Sequence, residues 1–220
     1  MDLLQTSFRL LARVRRARAF HPVGASYAGS LELTGDGPLP PGTHRCAVRL
    51  SQGVGVLAGW PDLLGVGTRV ETADGPVDVL ATTTVGSRGW RRLVLRPVRR
   101  WHRATLSTLM PWEGPDGTRA QVVLTVDDPR LVSPRPGEPA EHLPVRITWQ
   151  VATPHRVLQA GLLTLEEVAP DRVDLDPVLH SPPGWTVVPR WLARVRETAY
   201  VGSREGRGVS PAGRVLRAVR

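Results

Sequence analysis

The sequence predicts an α+β domain, in which an antiparallel β-sheet is accompanied by a helix at each end of the chain. Short runs of β-branched and apolar residues alternate with glycine- and proline-rich turns through the middle of the chain, and both ends show helical spacing of apolar residues. A chain of 220 residues can bury a sizeable core without metals or disulfides. We therefore expect one domain over 1–220.

The N-terminal segment is expected to be an amphipathic helix. Leu4, Phe8, Leu11 and Val14 recur at helical spacing, with arginines between and after them. The segment lacks the uninterrupted apolar core and small-residue cleavage site of a secretory signal, and no stretch approaches the roughly 18 apolar residues of a membrane span. We expect no transmembrane segment and a cytoplasmic protein.

The middle of the chain reads as a series of strands separated by turns such as "GDGPLPPGTH" and "TADGPVD". Several runs alternate apolar with polar residues, which is the pattern of strands with one buried face. Seven or eight antiparallel strands in one domain favour a barrel or a sandwich. The predicted strands cover residues 30–35, 45–51, 67–72, 77–83, 120–128, 144–151 and 160–168.

Two segments interrupt the series of strands. Residues 86–112 mix arginine with tryptophan, and here we predict a helix that ends near Pro97, followed by a loop. Residues 128–144 are rich in proline and are predicted to form a surface loop.

Charge and cysteine content narrow the class of protein. The net charge is +9, but all 29 basic residues are arginine and they are scattered through nearly every segment. No specific nucleic-acid partner is therefore expected, although an Arg-rich nucleic-acid-binding protein is the alternative from a different class. The single cysteine, Cys46, cannot form an internal disulfide, and its alternation with Val48 predicts a buried strand thiol.

The usual site motifs are missing: the sequence has no phosphate-binding glycine loop with lysine, no GxSxG, no HExxH and no Cys/His metal spacing. The C-terminal helix, predicted from Pro189 to Gly208, carries Arg196 one turn before Tyr200. A nearby cation favours the phenolate, which is the form in which tyrosine ligates ferric haem. An ordinary pair on a helix surface is the alternative interpretation.

Several blocks of the sequence, in this order, resemble those of the haem catalases. The resemblance extends over roughly residues 15–208. Its blocks are "RAFHPVG" (18–24), "AVRLSQGVG" (47–55), "PDLLGVGTRVETADGPVDVLATT" (61–83), "AGLLTLEEV" (160–168), "VDLDPVLHSPPGW" (173–185) and the series Arg196, Tyr200, Arg207.

The resemblance implies a closed eight-stranded antiparallel barrel with an N-terminal helix and C-terminal helices, like the reduced members of the catalase superfamily, and haem b as the cofactor. It implies that Tyr200 ligates the haem iron and that Arg196 tunes it. Arg18 and Arg49 are expected to pair with haem propionates, and Arg207 completes the cofactor-binding set.

The resemblance also implies a catalytic set. His21 would face a bound peroxide, and Ser51 would support His21. Where catalases carry an asparagine that orients peroxide, this sequence has Thr82 or Thr83. We therefore expect a haem-dependent peroxidase that acts on organic peroxides or hydrogen peroxide in the response to oxidative stress. The alternative is a non-enzymatic haem- or ligand-binding barrel, and a homo-oligomer is compatible with both.

Overall fold

The fold is described by a computed structural model for residues 23–53, 60–87, 89–170 and 173–188. These ranges contain ten strands and two short 3-10 helices. The strands are β1 (Val23–Thr34), β2 (Gly42–Gln52), β3 (Leu64–Thr72), β4 (Gly75–Thr83), β5 (Ala104–Ser107), β6 (Trp112–Glu113), β7 (Arg119–Val126), β8 (Val145–Ala152), β9 (Val157–Ala169) and β10 (Thr186–Val187); the 3-10 helices span Gly89–Leu93 and Glu138–Glu141.

Eight of these strands close into an antiparallel barrel. The order around the barrel is β1, β2, β3, β4, β5, β7, β8 and β9, and β9 pairs with β1 to complete the circle. The short strands β6 and β10 extend outwards from β7. The closed eight-stranded antiparallel barrel is therefore confirmed, and the sandwich alternative is wrong. All seven predicted strands are present, and β5 is the barrel strand that the sequence pattern missed.

The barrel interior is filled by one side of each strand, as the period of two requires. The core contains mainly valine and leucine together with three fully buried aromatic residues, Tyr27, Trp101 and Trp149. Cys46 is a free buried thiol on this inner face, as predicted. Side chains at the alternate positions of each strand therefore lie on the outer face of the barrel.

A two-residue turn fixes the register of β3 and β4. Thr72 pairs with Gly75, and the Thr72 hydroxyl donates to the Gly75 carbonyl at 2.7 Å. Gly75 has a φ of 116°, a conformation that favours glycine. This register places Arg69 directly opposite Asp78.

The connection between β7 and β8 packs against the end of the barrel. The Tyr27 hydroxyl donates to the Pro136 carbonyl at 2.7 Å, and the indole nitrogen of Trp101 donates to the Arg135 carbonyl at 3.0 Å. Two buried aromatic side chains therefore satisfy their polar atoms on this connection.

The helix predicted to end near Pro97 is not formed. Among the described residues of this segment, only Gly89–Leu93 is helical, as a 3-10 turn that begins at a glycine with a φ of 57°. The following residues are extended, and they form isolated bridges between Leu95 and Thr84 and between Val98 and Asp62. Backbone pairing with the end of β4 therefore outweighed the local helical pattern.

The predicted N-terminal and C-terminal helices lie outside the described residues. The four described ranges contain no α-helix. Within them, no helix has the length and apolar character needed to cross a membrane.

Two buried ionisable groups, the Tyr27 phenol and the Cys46 thiol, make the stability of the fold depend on pH in the alkaline range. Burial raises the pKa of Tyr27 to about 12, and burial, aided by Glu71 and Glu166, raises the pKa of Cys46 to about 12. Between the ordinary pKa of a thiol, 9.0, and the folded value, the unfolded chain binds fewer protons than the folded one. Stability therefore falls as pH rises through this window.

We expect Cys46→Ala to make this alkaline loss of stability less steep, because one of the two raised pKa values is removed. Thermal unfolding followed at intervals of pH across the window measures it. Parallel profiles for the variant and the original chain would contradict the assignment.

Candidate functional site

A row of small and hydroxyl-bearing residues crosses the outer face of the barrel from β1 to β5. Strand pairing places Gly24 opposite Ser51, Ser51 opposite Gly65, Gly65 opposite Thr82, and Thr82 opposite Ser107. Directly paired residues lie on the same side of a sheet. The structure therefore brings Ser51 and Thr82, two of the residues proposed from the sequence, to the same level on either side of a glycine.

The hydroxyls in this row already donate to the barrel backbone. Ser51 Oγ donates to the Gly65 carbonyl at 3.3 Å, and Thr82 Oγ1 donates to the Leu64 carbonyl at 3.2 Å. A hydroxyl has one proton and two acceptor lone pairs. Ser51 and Thr82 can therefore still accept hydrogen bonds, but each hydroxyl proton is already donated to a backbone carbonyl.

Thr83 lies on the other side of β4. It is fully buried, and its hydroxyl accepts a hydrogen bond from the Leu64 backbone nitrogen at 3.2 Å. Successive residues of a strand point to opposite faces. Of the two threonines left open by the sequence, Thr82 is the one that shares a face with Ser51.

Arg49 lies on the same outer face, two residues before Ser51. Its guanidinium lies across Gly24, where an added Cβ would be 2.5 Å from Arg49 Nη2 and 3.0 Å from the Leu50 carbonyl oxygen. A larger residue at this position of β1 would displace the guanidinium from its place over the strand. The structure therefore places a cation beside the first residues of the barrel.

A charged cluster that the sequence analysis missed lies next to this face. Asp78 on β4 is completely buried, and its carboxylate accepts two hydrogen bonds from Arg69, at 2.8 and 2.7 Å. Asp78 Oδ2 also accepts from the Asp176 backbone nitrogen at 2.7 Å and contacts His180 Nδ1 at 2.8 Å. These partners offset the cost of burying the carboxylate.

The geometry of the cluster fixes the position of a proton on His180. Nδ1 lies between Asp78 Oδ2, which only accepts, and Arg69 Nη2, which only donates, at 2.8 and 3.2 Å. The shorter contact requires a proton on Nδ1. The hydrogen bond to Asp78 raises the pKa of Arg69 further above its ordinary range.

This cluster fastens residues 173–188 to the outside of β3 and β4. The Asp78 backbone nitrogen donates to the His180 carbonyl at 2.8 Å, and Arg69 donates to the Asp174 carbonyl at 2.8 Å. Leu175 packs where a side chain at Gly67 would otherwise lie. The attached segment is the one that continues in sequence towards Tyr200.

A signal for this cluster was present in the sequence. Arg69 and Asp78 are equidistant from the two turn residues Ala73 and Asp74, and opposite charges at facing positions of a hairpin stabilise each other. The contribution of His180 comes from a distant segment and has no local signal.

The described tyrosine is not available as an iron ligand. Tyr27 lies in the barrel core and donates its proton to the Pro136 carbonyl, and burial raises its pKa to about 12. Within the described ranges, no cluster of three histidine, cysteine or acidic side chains could hold a metal ion.

Five of the residues proposed from the sequence lie outside the described ranges: Arg18, His21, Arg196, Tyr200 and Arg207. The structure therefore places three of the eight proposed site residues, Arg49, Ser51 and Thr82, and all three lie on one face of the barrel.

No protein-family model and no curated protein matches the sequence. Among solved structures, the chain is similar to a bacterial catalase, with a TM-score of 0.62 and 14% identity over 100% of this chain and 64% of that chain. It is also similar to catalase A from Saccharomyces cerevisiae, with a TM-score of 0.59 and 13% identity over 92% of this chain and 63% of that chain.

The barrel therefore has the catalase fold. At 14% and 13% identity, the similarity concerns the fold alone. The chain spans less than two thirds of the length of either structure, at 64% and 63%.

The buried pair Arg69–Asp78 provides a stability test. We expect Arg69→Ala to lower the free energy of unfolding by about 3 kcal/mol, because it leaves a buried carboxylate without its main partner. The double variant with Asp78→Ala should lose much less than the sum of the single losses. Urea unfolding of the four proteins measures this coupling.

The control is the exposed pair Arg135–Glu141, whose charged atoms are 3.4 Å apart. Its coupling should be close to zero because water screens it. Equal coupling in the two pairs would show that Asp78 does not act as a buried anchor.

Proposed function

We propose that this chain is a small haem b-binding protein, a reduced member of the catalase superfamily, that acts as a peroxidase on organic peroxides or hydrogen peroxide. In this proposal it works in the cytoplasm, in the response to oxidative stress. The observation that carries the proposal is the outer-face row in which Ser51 and Thr82 flank Gly65, with Arg49 beside the start of β1.

The chemistry of these site residues is suited to holding a haem. Arg49 supplies a cation for a propionate, and the glycines of the row leave a floor with few side chains. The chain has two tyrosines, and Tyr27 is committed to the core. In this proposal Tyr200 would be the iron ligand, as the resemblance to the haem catalases implies, and Arg196 would favour its phenolate. Arg18 and Arg207 would complete the set that holds the cofactor.

His21 is assigned as the group that moves a proton. In the sequence it precedes Val23 by two residues, and two peptide units span at most about 7 Å. Ser51, which faces Gly24, can only accept, so a ring N–H of His21 would donate to it. The second ring nitrogen then keeps its lone pair. With that lone pair, His21 takes a proton from one peroxide oxygen and returns it to the departing oxygen.

Thr82 favours a peroxidase over a catalase. The asparagine that catalases carry here can donate two amide protons, whereas the single Thr82 proton goes to the Leu64 carbonyl. Thr82 can therefore accept a hydrogen bond from a peroxide but cannot orient it by donation. The redox chemistry itself would be supplied by the haem, with its potential tuned by the tyrosinate ligand.

Haem binding is tested by the absorption spectrum of the purified protein after reconstitution with haem b. We expect a Soret band that is strongly changed or lost in Tyr200→Phe. Tyr27→Phe is the matched control, because it makes the same substitution at a core tyrosine and should leave the spectrum unchanged. A wild-type protein with no Soret band, or an unaltered spectrum in Tyr200→Phe, would refute the haem assignment.

Peroxidase activity is tested with cumene hydroperoxide. Removing a general acid–base group lowers turnover by about 100-fold or more, so we expect this loss in His21→Ala with haem still bound. His155→Ala, at an exposed histidine on the connection from β8 to β9, should retain full activity. Haem binding with unchanged turnover in His21→Ala would favour the non-enzymatic haem-binding barrel.

Thr82→Asn should shift activity towards dismutation of hydrogen peroxide, because it restores the amide donors. The readout is the ratio of oxygen release to oxidation of a phenolic reductant. Ser107→Asn, one strand away in the same row, is the positional control. A ratio that does not rise in Thr82→Asn would show that Thr82 does not contact the peroxide.

A further inference from the structure

Exposed apolar side chains are concentrated at one end of the barrel, before the start of β3 and after the end of β4. Within the described residues, nine large hydrophobic side chains are exposed, and five of them belong to residue 60 and residues 85–94. Trp60 and Trp90 are 66% and 70% exposed. The other three side chains are Val85, Leu93 and Val94. Such a concentration marks an interaction surface rather than scattered surface residues.

Backbone hydrogen bonds bring together the segments that carry these side chains. The Val85 backbone nitrogen donates to the Val94 carbonyl at 2.9 Å, so residues 85 and 94 are neighbours on a ribbon that extends β4. Further along, Val98 and Asp62 exchange two backbone hydrogen bonds of 2.8 Å. This antiparallel bridge joins the segment that follows Trp60 to the segment that leads to Arg99 and Arg100.

Arginines lie among these apolar side chains. Residues 79–112 contain seven arginines and no aspartate or glutamate. Five of those arginines are exposed. Four of the five lie within residues 91–100 and have no carboxylate partner in the described part of the chain: Arg91, Arg96, Arg99 and Arg100. We call the five apolar side chains and these four arginines the Arg/Trp surface.

The ribbon beneath the Arg/Trp surface is anchored to the fold. Trp101 is buried, Val98 packs against the core, and Arg92 donates to the Leu109 carbonyl at 2.8 Å. The amphipathic surface is therefore carried by a fixed part of the structure, with one side on the barrel and the other towards solvent.

We propose that the Arg/Trp surface docks this protein onto the surface of a lipid bilayer that contains anionic lipids. Tryptophan favours the level of the lipid headgroups, and neighbouring aliphatic side chains can enter the acyl boundary. Arginines beside them are attracted by the negative surface potential of anionic lipids. The surface combines all three components.

The composition favours a bilayer over a nucleic acid or a second copy of the chain. Nucleic-acid binding uses aromatic and cationic side chains, and it gives no role to Val85, Leu93 and Val94. A symmetric contact between two copies would bring the same arginines together. The proposal is independent of haem binding and of peroxidase activity.

The test is flotation of the full chain with vesicles of phosphatidylcholine, with and without phosphatidylglycerol. We expect binding only to vesicles with phosphatidylglycerol, and weaker binding as sodium chloride is raised. The variant Arg99→Gln/Arg100→Gln should bind about 30-fold less tightly, because each cation near an anionic surface contributes about fivefold. Trp90→Ser/Leu93→Ser should weaken binding by about tenfold or more.

Matched control variants distinguish vesicle binding by this surface from binding that depends only on the overall charge of the chain. Arg45→Gln/Arg146→Gln removes the same charge at exposed positions on β2 and β8, and Val132→Ser/Leu179→Ser removes exposed apolar side chains elsewhere. Both controls should bind vesicles like the original chain, and circular dichroism verifies that every variant is folded.

Several results would overturn the proposal: no binding to phosphatidylglycerol vesicles at low salt, equal losses in surface and control variants, or retained binding in Trp90→Ser/Leu93→Ser. Duplex DNA and single-stranded RNA are tested in parallel. Nucleic-acid binding that the Arg99/Arg100 variant abolishes, without vesicle binding by the original chain, would assign the surface to nucleic acid instead.

Discussion

The buried carboxylate of Asp78 joins two hairpin strands to a segment from the far end of the described chain. Its hydrogen bonds to Arg69, to the Asp176 backbone and to His180 come from sequence positions about 100 residues apart. A buried charge is costly unless each of its oxygens is satisfied. The segment 173–188 therefore has one favourable position on β3 and β4, and the residues that follow it in the chain start from that position.

The sequence was a good guide to the strands because their alternation is local. One buried face and one outer face give a period of two, and the "ADG" turn set the register of β3 and β4. The segment 86–112 was misread because its extended conformation depends on backbone bonds to Thr84 and Asp62, which lie outside the segment. The secondary-structure propensities of the residues within the segment carry no information about those distant partners.

For the site, the sequence identified the residue types and their order along the chain. The structure showed on which face of the barrel each described residue lies. Ser51 and Thr82 share a face with Arg49, while Thr83 points into the core. The donor and acceptor state of the two hydroxyls depends on carbonyls of the neighbouring strand β3, so a motif could not reveal it. Those contacts make the row a set of acceptors, and this distinguishes the proposed peroxidase from a catalase.

The short turn between β3 and β4 has an evolutionary consequence. Adding one residue there would shift the register and turn every later side chain of β4 to the opposite face. Asp78 would leave its pocket, and Thr82 and Thr83 would exchange faces of the strand. The length of this turn is thus as constrained as any residue of the site.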